Sequence, residues 1–332
     1  MSQHPKSASD GRMSKAATQL LVQSVQSQGF AVLEGAIGSA DCAGLRRDID
    51  SAITAGNRKA TGGAGVPSQH HHLGAVTACP PVMQVLSELM PGGFAMQHLQ
   101  CDRHDTGEPG AAWHSDHTHS VTPRPGMLVY AFMYPAGLDG TIGDLVVRYL
   151  LSPALDLAYA EQLVMPQQVL PGSQKLWPMD RLSLAPLFDT ADLPGSITLS
   201  RLEPGSVVLL HGGIFHARRQ QPGGTARYFV DVCYMEAVGS AGRRWPAYRY
   251  DSGGLQVMAQ VNAHAKRAAA KHWPLQGDGG GAESAEYEQL YDLSCFFDRT
   301  TATQHEQCER DQEAAVEAAG AAREQKLRSA KL

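Results

Sequence analysis

Four residues have the types and the spacing to hold a redox metal with an acid beside it: His114, Asp116, His216 and Arg227. Along a strand, residues two apart point to the same face. His114 and Asp116 can therefore grip one ion together, and His216 brings a second imidazole from a distant part of the chain. Two imidazoles and one carboxylate, leaving coordination positions open, form the facial triad that suits non-heme Fe(II) and oxygen chemistry. Arg227 lies eleven residues beyond His216, a distance that suits one turn and a return along the next strand. A guanidinium there could hold the far carboxylate of a bidentate metal-bound ligand such as 2-oxoglutarate, because its planar fork matches a carboxylate and never loses its charge.

The elements that must position these residues are legible locally. Gly205-Ser-Val-Val-Leu-Leu-His211, at a Pro-Gly turn, reads as a strand, as does Arg227-Tyr-Phe-Val-Asp-Val-Cys-Tyr234, rich in β-branched and aromatic residues. Gln221-Pro-Gly-Gly-Thr225 between them reads as a hairpin loop. Helices are expected over 14–28 and 255–271, and again over 284–293 and 304–331.

With these motifs in place, the chain resembles the phytanoyl-CoA dioxygenase family of Fe(II)/2-oxoglutarate-dependent oxygenases, from about Gly29 to Glu236. The resemblance runs through Gly29-Phe-Ala-Val-Leu33, Trp113-His-Ser-Asp116, Pro171-Gly-Ser-Gln-Lys175 and His211-Gly-Gly-Ile-Phe-His216, up to Arg227. It implies a mainly β fold with flanking helices around a double-stranded β-helix (jelly-roll or cupin-like) core. It implies Fe(II) held by His114, Asp116 and His216, with Arg227 on the distal carboxylate of 2-oxoglutarate and O2 as the oxidant. Some members carry a basic residue eleven positions before the first ligand, which assists the cosubstrate, and a substrate-facing Gln six before that. Arg103 and Gln97 stand at those positions. Related halogenases have a small residue in place of the carboxylate, so Asp116 argues for oxygen insertion, most simply hydroxylation, or for desaturation or ring chemistry, instead of halogenation.

The chain departs from the family at three places. Gln174 stands where the family loop usually has His, the stretch between Gly143 and Pro171 is longer than usual, and Arg218 replaces a small polar residue two positions past the distal His. These departures fall on the substrate side. Gln97, Trp113 and Arg218 are the candidate substrate-binding residues, Trp113 being also a packing residue beside the ligands. Arg218, Arg219, Arg243 and Arg244 suit an anionic small-molecule substrate.

Other histidines compete for the metal. His117 and His119 have the opposite strand parity to His114, and His211 is an odd number of residues before His216. His70-His71-His72 follows a Gly/Ala-rich run and reads as a solvated loop. Two other classes fit an H-x-D…H pattern: a cupin-like metal-dependent enzyme that does not use 2-oxoglutarate, and a metal-binding module without turnover. The first gives Arg227 no role, and the intact triad argues against the second.

A chain of 332 residues can bury one large core, and a barrel-type domain of that scale is ordinary as a single unit. The reading is a disordered stretch over 1–13, an oxygenase domain over 14–250 and a C-terminal helical extension over 251–332. A net charge of −5 without a basic block argues against a nucleic-acid partner. No apolar stretch reaches transmembrane length. Six scattered cysteines with no C-x-x-C pair suit reduced thiols and a cytoplasmic location. The terminal Ala330-Lys331-Leu332 is a relaxed form of the peroxisomal address, which would matter in a eukaryotic source.

Overall fold

The structure, a computed structural model, describes residues 13–56, 67–108, 110–114, 127–140, 145–148, 196–212, 214, 216–219, 223–236, 252–273 and 290–292. Eleven strands occur among them: β1 (Phe30–Leu33), β2 (Phe94–His104), β3 (Ala111–His114), β4 (Leu128–Tyr134), β5 (Leu138–Asp139), β6 (Leu145–Arg148), β7 (Ser196–Leu199), β8 (Arg201–Leu202), β9 (Ser206–His211), β10 (His216–Arg218) and β11 (Arg227–Glu236). The helices are α1 (Lys15–Gln28), α2 (Ser39–Thr54), α3 (His71–Ala75), α4 (Pro80–Leu89) and α5 (Ser252–His272).

A five-stranded sheet runs in the order β1-β9-β4-β11-β2, and a four-stranded sheet in the order β3-β10-β6-β7. Every pairing is antiparallel. β4, Leu-Val-Tyr-Ala-Phe-Met-Tyr, is buried at every residue, which is why an unbroken apolar run rather than an alternating one occupies the centre of the larger sheet. The two sheets meet where the Phe132 ring of β4 packs edge-on against the His216 ring of β10, with centroids 5.4 Å apart.

Local chemistry sets the helix ends. The Ser14 hydroxyl accepts the Ala17 N–H at 3.2 Å and caps α1, and Gly29, at φ +88°, closes it directly before β1. Pro80 occupies the first turn of α4, where its missing N–H costs no helix hydrogen bond. α1 packs on β1 and α4, while α5 lies against α3 and β2. The Ser68 hydroxyl donates to the Val261 carbonyl at 3.1 Å and the Trp273 indole N–H donates to the Ala75 carbonyl at 2.8 Å.

His71 and His72 correct one expectation. They open a helix instead of sitting in a solvated loop, and both are partly buried. The Asp48 carboxylate accepts the backbone N–H groups of His72 and Leu73 at 2.6 and 3.3 Å, so it neutralises the start of this helix from α2. His71 Nε2 contacts His272 Nδ1 at 3.1 Å, and His272 Nε2 lies 2.9 Å from Asp41. The run of three histidines therefore joins the end of α5 to α2. The expected helices over 284–293 and 304–331 fall mostly or wholly outside the described residues, as do 1–12. Cys42, Cys79, Cys101 and Cys233 are buried, and no disulfide forms among the described residues. No helix among the described residues is long and apolar enough to cross a membrane.

One glycine supports the strand that carries two site residues. Gly205, at φ +81°, donates its N–H to the Tyr134 carbonyl at 2.9 Å, and a Cβ there would lie 2.1 Å from the Ile37 carbonyl oxygen. Positive φ and a backbone clash act together on any side chain at this position. Gly205→Ala is expected to cost about 2–3 kcal/mol. The check is a lower urea midpoint at unchanged slope.

Candidate metal and cosubstrate site

The smaller sheet sets two of the candidate ligands opposite each other. In the β10–β3 pair, His216 is the direct cross-strand partner of His114. Directly opposed residues of an antiparallel pair share a face and stand about 5 Å apart at Cβ. Between this pair and the next, Arg218 with Ala111, the register shifts, so β3 carries one residue more than β10. The extra residue falls within Ala112–Trp113, directly before His114, and bulges of this kind recur next to active sites, where they re-aim a side chain. Only the backbone of Trp113 and His114 is described, and Asp116 lies outside the described residues. So do 152–168, the 171–175 loop, and Arg243 and Arg244.

His216 is 5% exposed, and its Nδ1 faces the Ile214 carbonyl oxygen at 3.4 Å. A carbonyl can only accept, so a hydrogen bond there places the ring proton on Nδ1 and leaves Nε2 unprotonated. Metal-binding imidazoles are commonly oriented in this way, by a backbone carbonyl on the other ring nitrogen. The described member of the candidate set, His216, thus presents a ring nitrogen suited to a divalent metal ion.

Arg227 begins β11 in the larger sheet and is 3% exposed. One terminal nitrogen, Nη2, donates to the Tyr134 hydroxyl at 3.3 Å, and the other, Nη1, lies 3.1 Å from His104 Nδ1. Arginine can only donate, so His104 accepts at Nδ1 and carries its proton on Nε2, which faces Asp102 at 3.5 Å. The guanidinium also lies over the Phe229 and Tyr134 rings, at 4.9 and 5.2 Å from their centroids. Its Nε is buried without a hydrogen-bond partner, and among the described residues no carboxylate contacts the group. A buried cation held only by neutral groups is costly and favours an incoming anion. Phe132 links this end of the site to the other, since its ring packs on Phe229 (5.1 Å) and on His216 (5.4 Å).

Arg218 follows His216 by two residues on β10, whose register with β6 is regular. By strand alternation it shares the His216 face. It is partly buried, and its Nη1 is buried without a hydrogen-bond partner. Burial, and then the positive charge of Arg227, pull its pKa down to about 10. Burial also raises the pKa of the Tyr134 hydroxyl, against the lowering effect of Arg227, so it stays a neutral hydrogen-bonding group.

Arg103 and Gln97 do not join this arrangement. In the β11–β2 pair Arg227 faces His104, whereas Arg103 faces Tyr228 on the opposite side of the sheet. There the Arg103 guanidinium binds Asp50 of α2 at 2.5 Å and Asp105 at 3.2 Å, and the Tyr228 hydroxyl also donates to Asp50. Arg103 thus ties the sheet to α2 and is turned away from Arg227. The basic group's place beside Arg227 is taken by His104. Arg103 and Asp50 are 33% and 42% exposed, so Arg103→Gln is expected to cost no more than about 1 kcal/mol. Its affinity for 2-oxoglutarate is expected to match that of the unmodified protein, as read by calorimetric titration. Gln97, 3% exposed, sits where the β2–β11 register shifts, with its amide nitrogen 3.4 Å from the Met235 sulfur. It is a core contact between β2 and β11.

His104, Phe132, Tyr134 and Phe229 are the site residues that spacing did not reveal. Phe229 is two residues from Arg227 and could have been found by strand alternation. The others come from strands whose register is a tertiary fact.

No protein-family model and no curated protein matches the chain. Solved structures do. The non-heme α-ketoglutarate-dependent epimerase SnoN from nogalamycin biosynthesis aligns with a TM-score of 0.50 at 14% identity, covering 68% of this chain and 83% of that one. The non-heme α-ketoglutarate-dependent carbocyclase SnoK from the same biosynthesis gives 0.48 at 15% identity, covering 70% and 87%. HygX from Streptomyces hygroscopicus, with nickel and 2-oxoglutarate bound, gives 0.48 at 11% identity, covering 70% and 90%. The SnoN likeness shows the fold: the chain shares the architecture of a non-heme, α-ketoglutarate-dependent enzyme.

Proposed function

We propose that the chain is an Fe(II)/2-oxoglutarate-dependent dioxygenase that oxidises, most simply by hydroxylation, a C–H bond of a small molecule. The observation that carries this reading is the register that sets His216 opposite His114 on one sheet, with the buried Arg227, free of carboxylate contacts among the described residues, facing the same ring cluster from the other. The shared fold supports it, and so does the resemblance of the Trp113–Asp116 and His211–Arg227 segments. The core would then be the double-stranded β-helix of such enzymes.

His114, Asp116 and His216 would hold the iron, and Arg227 the distal carboxylate of 2-oxoglutarate. When bound, the iron and 2-oxoglutarate supply the activation of O2, and the cosubstrate leaves as succinate and CO2. The protein contributes positioning and dryness. The Ile214 carbonyl fixes the His216 ring, and His104 and Tyr134 fix the plane of the Arg227 fork. Phe132 and Phe229 fill the space between the two ends with apolar surface, which keeps water from the cosubstrate and strengthens the Arg227–carboxylate attraction.

Incubation of the Fe(II)-loaded protein with 2-oxoglutarate in air tests the reading through succinate formation. O2- and iron-dependent succinate, increased when a true substrate is added from a panel of small molecules, is the expected result. A protein that binds iron yet forms no succinate with any of them would return the cupin-like alternative. Mass analysis of the stimulated reaction separates hydroxylation, at one added oxygen, from desaturation or epimerisation.

A further inference from the structure

We propose that Arg218 is a second carboxylate-binding residue of this site, separate from Arg227, and that it takes a carboxylate of a bound small molecule. The inference rests on the proposed function for its setting, and on Arg218's own environment for its chemistry. Arg218 shares a strand face with His216, is partly buried, and has one terminal nitrogen sealed from solvent without a hydrogen-bond partner. Among the described residues no carboxylate touches it, and Glu108 and Asp102 act on it only at a distance. The largest effect of another charge on it is repulsive, from Arg227. Placing two guanidinium groups in one partly desolvated region costs stability unless anions enter between or beside them.

Charge balance says which anion is missing. In the proposed site the two positive charges of Fe(II) and the one of Arg227 match the two negative charges of 2-oxoglutarate and the one of Asp116. Arg218 adds a positive charge that this set does not answer. A carboxylate on the substrate would answer it, held in the bidentate geometry that arginine favours. The same chemistry could come from the cosubstrate, if its distal carboxylate spans both arginines, and the two sources are separable.

The test compares the full-length protein with Arg218→Gln and Arg218→Lys, using 2-oxoglutarate and benzoate as probes and benzamide as the neutral control. Thermal unfolding is followed with benzoate or benzamide, with and without saturating 2-oxoglutarate. The dissociation constant of 2-oxoglutarate is measured alongside by calorimetry. Benzoate at about ten times its dissociation constant is expected to raise the unfolding temperature by roughly 2 °C. That rise should vanish in Arg218→Gln, return in part in Arg218→Lys, and be absent with benzamide. This outcome assigns the carboxylate to the substrate. A tenfold or greater loss of 2-oxoglutarate affinity in Arg218→Gln, regained in part by Lys, assigns it to the cosubstrate. If Arg218→Gln and the unmodified protein respond alike to benzoate and to 2-oxoglutarate, the proposal is overturned. Should Arg218→Gln fail to fold, Arg218→Lys decides alone, because a lysine keeps the charge and loses the fork. An Arg218-dependent benzoate response in a protein that never forms the iron–2-oxoglutarate complex would retire the oxygenase reading and leave this carboxylate site standing.

Discussion

Replacing His216 with alanine is expected to lower Fe(II) affinity by on the order of 100-fold or more and to remove iron-dependent binding of 2-oxoglutarate. Loss of an outer contact to a metal ligand already costs about 10–100-fold, and here the ligand itself goes. The effect should exceed what the fold alone would suffer. His216 is buried against Phe132, so its removal also leaves a small void and costs some stability. His216→Gln separates the two effects, since it fills much of the volume and cannot supply an imidazole. If His216→Gln unfolds near the temperature of the unmodified protein but binds no iron in an equilibrium dialysis assay, the defect belongs to the metal site. Iron binding retained by both variants would remove His216 from the ligand set.

The second large effect is at Arg227. Arg227→Gln is expected to weaken 2-oxoglutarate by about 3 kcal/mol, roughly 100-fold, because a buried charge-paired contact is lost from the complex. The free protein should behave differently. Its buried guanidinium is held by His104, Tyr134 and two ring faces, with no carboxylate in contact among the described residues, so removing the charge also removes a desolvation cost. Against this, the His104 and Tyr134 acceptors lose donors, and the Gln amide can serve only part of them. The two terms are of similar size, so unfolding of the free protein should move by no more than about 1 kcal/mol. Arg227→Lys keeps the charge without the fork and should fall between, near tenfold weaker. A variant that loses stability while keeping 2-oxoglutarate affinity would make Arg227 a structural residue.

The pattern of what could be read from the sequence follows from which interactions are local. β9 and β11 were legible because each is an apolar or β-branched run beside a turn, and α1 and α5 because their periodicity lies within the helices themselves. The pairing of His216 with His114 was legible only as far as alternation and a spacing allowed; the register that opposes them comes from the sheet. Arg103 shows the limit of a spacing argument. A one-residue difference in parity moves a side chain to the other face of β2, and the register with β11 gives the inner position to His104. The His70–His72 run misled for another reason. A helix as short as His71–Ala75 has no room for a periodic pattern, and its stability comes from Asp48 and His272, both remote in sequence. Phe132 and Tyr134 stand in an unbroken apolar run in which nothing marks two residues as site-facing; only the packing of the two sheets selects them.

The most direct test of the central claim needs no substrate. Under anaerobic conditions, the metal-free protein is titrated with Fe(II) and 2-oxoglutarate while the visible spectrum is recorded, with Asp116→Ala and Arg227→Gln alongside. The account predicts a saturable metal-to-ligand charge-transfer band in the unmodified protein, absent or weakened in both variants. Bound iron with no such band would contradict it, and the site would then be that of a metal protein that does not use 2-oxoglutarate.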